Sequence, residues 1–274
     1  MRWRLLLALA SAIAGLAGEA SSQPRPATAE ACRLQTAGSG KVSGILDGRS
    51  FALDDGRLVR LSGIEVPTLG RPGEHDAHAA AAIAAREALA AILQGEDIEL
   101  RRSAASVDRY GRMLAHAHFQ RNGSEKSAAH ALVAAGMARV SADDGNRACA
   151  IELLREEANA RAAQLGLWNK PYYAILAAEN LSGLMDQRGH FTIAEGRVLS
   201  VRESGGTIFM NFGARWSQAL TVTILKRNER YFAGIGMEPQ RLENRWLRVR
   251  GWVEERNGPR IEATHPEQIE IAER

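Results

Sequence analysis

The chain has 274 residues, of which 45% are hydrophobic and 24% charged, which suits one large or two small globular domains with real cores. Its formal net charge is +3 and its isoelectric point is about 9.1, so the charge permits a polyanionic partner without requiring one. Beyond an N-terminal apolar run, the sequence excludes a membrane-spanning helix, because no other stretch is apolar for long enough.

The N-terminus has the order of a secretory signal. Arg2 and Arg4 precede an apolar run over residues 5–16, and small residues follow as far as Ala20. The apolar run is too short to span a bilayer comfortably, so an uncleaved anchor is the less favoured alternative. We predict a signal peptide over 1–20, and a periplasmic or secreted mature protein without stable membrane insertion.

The chain has two cysteines, Cys32 and Cys149. In an oxidising compartment an even number of cysteines favours a disulfide, which would tie the start of the mature chain to a helix far along it. We predict this disulfide, and the alternative is a pair of buried free thiols.

Hydrophobic spacing predicts the elements of the first half, after a linker over 21–40 that is rich in Ser, Pro, Ala, Thr and Gly. Asp47-Gly48 and Asp55-Gly56 are tight-turn dipeptides between alternating apolar and polar residues, the pattern of half-buried strands. The predicted elements are, in chain order, three short strands over 42–66, a helix over 79–94, strands over 97–101 and 113–119, and helices over 127–135 and 147–165.

The second half becomes rich in strand patterns after Gly189. A helical connector is predicted over 171–189, with one helix over 171–187 that Pro171 begins. Further predicted elements are strands over 197–202, 207–212, 220–225, 245–254 and 260–263, with a short helical piece over 228–233. Five strands with a helix inserted after the third are typical of a small OB-type barrel, so an OB-like domain is predicted over 190–274.

Two carboxylates and an arginine stand at the ends of adjacent strands in the first half. They are Asp47, Glu65 and Arg60. Carboxylate oxygens can hold a divalent cation, and a planar guanidinium can form two hydrogen bonds to a phosphate. These residue types are the ones that metal-assisted phosphodiester chemistry needs.

A series of short motifs follows a specific order along the chain. The motifs are Leu46-Asp47-Gly48-Arg49-Ser50-Phe51, Val59-Arg60-Leu61, Gly63-Ile64-Glu65-Val66-Pro67, Asp108-Arg109-Tyr110-Gly111-Arg112 and Gly166-Leu167-Trp168. Together they resemble the staphylococcal nuclease (thermonuclease) domain over about residues 41–170. The resemblance implies a mainly β fold with helices (α+β), in which an OB barrel carries the helices. It also implies calcium-dependent cleavage of single-stranded or loosened DNA and RNA.

The resemblance implies roles for four residues. Arg60 matches the arginine that binds the scissile phosphate, and Arg112 matches the one that stabilises the pentacovalent transition state. Both are predicted as catalytic residues, because arginine stays charged and can engage two phosphate oxygens. Asp47 matches the first aspartate of the family's Asp-Gly-Asp-Thr turn, and Glu65 stands where the family has a calcium-ligand aspartate. Asp47 and Glu65 are therefore predicted as metal ligands.

Two residues depart from the family pattern. Arg49 stands where the family has a second calcium-ligand aspartate, and Thr68 stands where it has the glutamate that orients or deprotonates the attacking water. A hard cation needs several oxygen ligands, which a guanidinium cannot supply. Loss of a general base lowers a rate by roughly 10²–10⁴. Ca²⁺ is therefore a candidate cofactor with a degenerate site.

Three interpretations of the site remain open. In the leading one, the protein is a weak or altered nuclease, whose cation site is rebuilt from Asp47, Glu65 and a carboxylate of the 67–78 loop. In the second, Arg49 takes the electrostatic role of the cation, and the arginines bind DNA or RNA, single-stranded by expectation, without cutting it. In the third, the domain is a structural or protein-binding module.

One strand of the second half interleaves aromatic residues with arginines. Alternation places apolar residues on one face of this strand and, on the other face, Trp246, Arg248, Arg250 and Trp252. Such a face can stack bases and contact phosphates, so these four residues are predicted, with Arg49, to bind nucleic acid. The alternative is a strand face whose tryptophans cover a helix or the first domain.

Overall fold

The structure is a computed structural model that describes residues 31–69, 76–103, 107–142 and 146–272. The signal peptide predicted over 1–20 lies outside these residues and stays a prediction. No helix in the described part of the chain is long and apolar enough to cross a membrane.

The first half forms a closed five-stranded barrel. Its elements are, in chain order, β1 (Gln35–Ile45), β2 (Ser50–Leu53), β3 (Leu58–Leu61), β4 (Ile64–Glu65), α1 (Asp76–Leu93), β5 (Asp97–Arg102), β6 (Met113–Arg121), β7 (Ser124–Ser127), α2 (Ala128–Ala134), β8 (Arg139–Val140) and α3 (Arg147–Ala162). Antiparallel pairing runs from β3 through β2, β1 and β5 to β6, and the parallel pair β3–β6 closes the ring. The predicted OB barrel that carries helices is confirmed.

Alternation along the strands explains the core of this barrel. Phe51, Val59 and Leu61 are fully or almost fully buried, and Leu89 of α1 belongs to the same cluster. Gly95 has a φ of +77°, a left-handed conformation that glycine adopts without strain, and it turns the chain out of α1. Apart from the start of β1, the strands and helices predicted here are confirmed to within a few residues.

The second half builds two sheets around one core. Its elements are β9 (Leu176–Ala177), α4 (Leu181–Asp186), β10 (Phe191–Arg197), β11 (Ser200–Ser204), β12 (Thr207–Asn211), β13 (Thr221–Leu225), α5 (Glu229–Ala233), β14 (Trp246–Trp252), β15 (Glu254–Glu255), β16 (Pro259–Glu262) and β17 (Ile269–Ile271). The sheet orders are β17-β14-β10-β9 and β11-β12-β13-β16-β15. Strand β10 continues into β11, and β14 continues into β15. With each of these pairs counted as one strand, the strand order repeats that of the first barrel, including a parallel pair, β13–β16. This is the predicted OB-like arrangement.

The structure corrects two predicted boundaries. Strand β1 begins inside the predicted linker, because the small residues over 38–40 pair through their backbone with β5. The single helix predicted over 171–187 is wrong, since a 3₁₀ turn (Pro171–Tyr173), β9 and α4 occupy this segment. Parallel pairing of β9 with β10 satisfies the backbone there, and such tertiary contacts override a weak helix propensity.

The predicted disulfide is confirmed. Cys32 and Cys149 are bonded, and Cys149 lies in the first turn of α3. The two residues are 117 positions apart in the sequence. The bond therefore ties the chain before β1 to a distant helix of the same domain.

A buried ion pair joins the two barrels. Arg250 of β14 is 0% exposed, and its Nη1 donates to Glu157 of α3 at 2.6 Å and to the carbonyl of Val140 at 3.0 Å. Its Nη2 donates to Glu270 of β17. Burial disfavours the charge of Arg250, but the charges of Glu157 and Glu270 outweigh this effect and raise the pKa of the guanidinium. Helix α3 therefore meets the outer face of β14 through fully desolvated charges.

Two histidines of the first barrel have lowered pKa values, from which we expect the stability of the fold to decrease in acid. Burial lowers the pKa of His130 in α2, and the carboxylates of Glu152 and Glu156 oppose this only in part. Burial and the charge of Arg101 lower the pKa of His118 in β6. As the pH falls below the ordinary value of 6.5, the unfolded chain binds protons before the folded one. We expect the free energy of unfolding to decrease between about pH 7 and about pH 5.

Urea unfolding at the two pH values measures this decrease. The variant His118→Gln/His130→Gln should lose less stability than the unmodified protein over the same range. Both proteins contain the same carboxylates with lowered native pKa values, so the contribution of these groups near pH 5 cancels in the comparison. An equal loss in the variant and the unmodified protein would show that these histidines are not the cause.

Candidate functional site

Residues from several elements meet at one end of the first barrel. Ser50 of β2 pairs with Arg60 of β3, and β3 pairs in parallel with β6, which the 108–112 segment precedes. Asp47 lies in the turn between β1 and β2, and Glu65 ends β4. The barrel thus brings together residues that are more than sixty positions apart in the sequence.

Arg49 is a buried partner of Glu65. The residue is 3% exposed, its Nη2 lies 2.6 Å from Oε2 of Glu65, and its Nη1 donates to the carbonyl of Ile64 at 2.6 Å. The backbone N–H of Arg49 donates to Oδ1 of Asp47 at 2.8 Å, which fixes the turn between β1 and β2. The guanidinium of Arg49 points into the protein, and its contact with nucleic acid stays a prediction that this burial disfavours.

Arg60 is more accessible than Arg49. Its side chain is 24% exposed, and its Nη atoms lie 3.8 Å from Oε1 of Glu65 and 3.8 Å from Oδ2 of Asp108. Neither distance is short enough for a hydrogen bond, and no such bond to this guanidinium is found within the described ranges. The two carboxylates therefore hold Arg60 electrostatically, and its N–H groups can still reach a phosphate.

Arg112 is oriented by Asp108. Its Nε donates to Oδ2 of Asp108 at 2.7 Å, and its Nη1 donates to Oγ of Ser50 at 3.1 Å and lies 3.7 Å from Asp47. Burial raises the pKa of Asp108, but hydrogen bonds from Arg112 and the amide of Tyr110 outweigh it, and the pKa is lowered. Sequence reasoning does not assign this positioning role to Asp108, although its place four residues before Arg112 is a signal for it.

The charges of the site balance one another. The site contains three guanidinium groups and three carboxylates, those of Arg49, Arg60, Arg112, Asp47, Glu65 and Asp108. Each guanidinium thus lies near at least one carboxylate. A polyanion that enters must compete with these carboxylates, and it does so most easily at Arg60, whose ion pairs are the longest.

The arrangement of Glu65 does not fit a calcium ion. Both of its oxygens face arginine nitrogens, whereas Ca²⁺ takes 6–8 oxygen ligands. No group of three or more His, Cys, Asp or Glu side chains in the described part of the chain is placed to hold a metal. Thr68, at the position of the family's general base, is exposed and carries no carboxylate.

The predicted binding face of β14 is largely covered. Helix α3 buries the side chain of Arg250 in an ion pair, and this burial disfavours its predicted contact with nucleic acid. Arg248 is half-buried and pairs with Glu195 at 3.0 Å, and Trp246 is half-buried too. Trp252, at the end of the strand, is exposed. Contacts of Trp246, Arg248 and Trp252 with nucleic acid stay predictions.

The closed barrel and its cluster of arginines and carboxylates define a nuclease-like OB barrel. In comparisons with known proteins, residues 58–170 match the family model described as Staphylococcal nuclease homologue. This part of the chain is therefore a staphylococcal nuclease-homologue domain, as its motifs predict. The match begins in β3, so the turn that carries Asp47 and Arg49 precedes it. No curated protein matches the chain.

Proposed function

We propose that this protein is an extracytoplasmic nucleic-acid-binding protein, whose first barrel holds phosphates without a metal ion and does not perform calcium-dependent hydrolysis. The observation that carries the proposal is the ion pair of Arg49 with Glu65, at 2.6 Å. A guanidinium here neutralises the carboxylate that a cation would need. The guanidinium of Arg49 thus supplies the positive charge that a bound cation would otherwise supply.

Arg60 and Arg112 supply the contacts to phosphate. Arginine forms charge-assisted hydrogen bonds to two phosphate oxygens at once, and Arg60 has N–H groups directed at no hydrogen-bond acceptor in the described residues. Arg112 is already oriented by Asp108, so little side-chain entropy is lost on binding. The side chain of Tyr110 is exposed, and the centre of its ring lies 5.2 Å from the guanidinium carbon of Arg112. In this position the ring can stack on a base.

The disulfide supports placement in an oxidising compartment. Disulfides persist in the periplasm and outside the cell, and they are rare in the cytosol. The bond between Cys32 and Cys149 closes a long loop and begins close to the predicted signal peptide. Together with the N-terminal sequence order, it favours a periplasmic or secreted protein.

Fluorescence anisotropy with a labelled single-stranded oligonucleotide, in the presence of a chelator, tests this function. We expect Arg60→Ala/Arg112→Ala to weaken binding by about tenfold or more, because each charge-assisted hydrogen bond contributes about 1.5–3 kcal/mol. The dependence of log affinity on log salt should become shallower by about one unit per lost phosphate contact.

Arg241→Ala is the matched control. Arg241 is an exposed arginine of the second half whose nearest carboxylate, that of Glu238, is 3.6 Å away. This variant should bind like the unmodified protein. If the double variant at Arg60 and Arg112 also bound with unchanged affinity and an unchanged salt slope, the proposed phosphate site would be wrong.

A further inference from the structure

The second barrel carries a groove of about 560 Å³ on the outer face of the sheet formed by β11, β12, β13 and β16. The 3₁₀ turn Trp216–Gln218 and the turn between β15 and β16 also contribute residues to its lining. Its lining residues are Arg202, Ser204, Phe209, Asn211, Trp216, Thr221, Arg256, Asn257 and Arg260. Three of these nine residues are arginines and none is acidic, so the lining attracts anions. The carboxylate of Glu254 lies 3.3 Å from Arg256 and 3.7 Å from Arg260, so Arg202 is the arginine most open to an anion.

Strand register places aromatic and cationic side chains side by side. Arg202 of β11 lies opposite Phe209 of β12, and Thr221 of β13 lies opposite Arg260 of β16. Neighbouring positions such as Ile208 point to the opposite face and are completely buried in the core. Directly paired residues on one sheet face have Cβ atoms about 4.5–5.5 Å apart. A ligand that stacks on Phe209 is therefore within reach of an arginine.

The groove offers exposed surface and incompletely satisfied charge. Trp216 is 55% exposed, and the side chain of Arg256 is 64% exposed. The side chain of Arg202 is exposed, and within the described ranges its guanidinium has neither an ion pair nor a hydrogen bond. Nε of Arg260 is buried without a hydrogen-bond partner in the described residues, although Glu254 lies 3.7 Å from its Nη2. Such a buried donor is costly unless a ligand or water satisfies it.

Close backbone packing holds together the two turns that line the groove. Gly258 has a φ of +126°, and a Cβ added there would meet the carbonyl oxygen of Trp216 and Cα of Ser217, both at 2.9 Å. Only glycine permits this approach. The turn that carries Arg256 therefore packs directly against the turn that carries Trp216. The groove is formed before a ligand arrives, which lowers the entropic cost of binding.

We propose that this groove binds single-stranded nucleic acid, with bases stacked on Trp216 and Phe209 and phosphates contacted by Arg202, Arg256 and Arg260. An anion with exposed flat apolar rings fits these residues, and unpaired nucleotides present both. A duplex hides its base faces, so it should bind less tightly. This inference rests on the proposed function for one point, that the partner is a nucleic acid. It uses none of the residues of the first barrel.

Anisotropy of a labelled single-stranded DNA of about 20 nucleotides, with the full-length protein, tests the groove. Trp216→Ala and Arg202→Ala/Arg256→Ala should each weaken binding by about tenfold, the size expected for the loss of one base stack or of two phosphate contacts. These side chains are exposed, so the variants should unfold at the same urea concentration as the unmodified protein.

The controls are Tyr231→Ala and Arg188→Ala, which remove an exposed aromatic residue and an exposed arginine elsewhere on the second half. Both should bind like the unmodified protein. If the groove variants bind normally while Arg60→Ala/Arg112→Ala weakens binding, the groove is not the site and the proposed function stands. If only the groove variants weaken binding, the groove is supported and the phosphate site of the first barrel is wrong. Equal affinity for duplex and single strand would overturn the stacking that defines the groove.

Discussion

Replacing Arg250 with alanine should lower the free energy of unfolding by about 3–5 kcal/mol, because it leaves a carboxylate buried without its cation. Glu157 is completely buried, and its Oε2 lies 2.6 Å from Nη1 of Arg250. Its other oxygen accepts a hydrogen bond from the amide of Val140 at 3.0 Å, so the charge cannot move to solvent. Nη1 of Arg161 lies 3.8 Å from the same Oε2, which is too far for a hydrogen bond, so the expected cost comes mainly from a buried carboxylate that loses its closest cation.

A second variant distinguishes the cost of the unpaired carboxylate of Glu157 from the cost of the packing that is lost with the side chain of Arg250. In Arg250→Met/Glu157→Leu both partners are replaced by apolar side chains, which is often neutral or stabilising for a buried ion pair. We expect this double variant to be clearly more stable than Arg250→Ala in urea unfolding at neutral pH. If Arg250→Ala cost less than about 1 kcal/mol, the interior position of this ion pair would be wrong.

Loss of the disulfide should have a comparable effect. The loop-entropy relation gives about 4–5 kcal/mol for a loop of this length, since the Cys32–Cys149 bond spans 117 positions. We expect Cys32→Ser/Cys149→Ser to shift the urea midpoint strongly downward. The unmodified protein in reductant should shift to nearly the same midpoint, which serves as the control. Identical midpoints with and without reductant, or two alkylatable thiols in the untreated folded protein, would contradict the bond.

Local sequence patterns suffice to predict most of the first barrel. Alternation identifies the strands that bury Phe51 and Val59, and the Asp-Gly turns mark where the chain reverses. The ordered motifs identify the family and bring Arg60 and Arg112 into the predicted site. These features depend on neighbouring residues or on motif order, so they are visible in the sequence.

The burial of Arg49 and Arg250 depends on contacts between distant segments. Alternation correctly separates the core face of β14 from its other face, but it does not show that α3 covers that other face. In the same way, the sequence places Arg49 near Glu65 without showing that the two side chains pair inside the protein. The groove around Phe209 is formed by residues of several strands and turns, so no single sequence motif predicts it.

The most direct test of a metal-free phosphate site is to incubate the purified protein with labelled single-stranded DNA, once in Ca²⁺ and once in chelator. Binding and products are measured in the same samples, with Arg60→Ala/Arg112→Ala as the control. We predict equal affinity under both conditions and no cleavage products, because the carboxylate of Glu65 is already paired with the guanidinium of Arg49. Calcium-dependent products that disappear in the double variant would contradict this prediction and show that the site is a working nuclease.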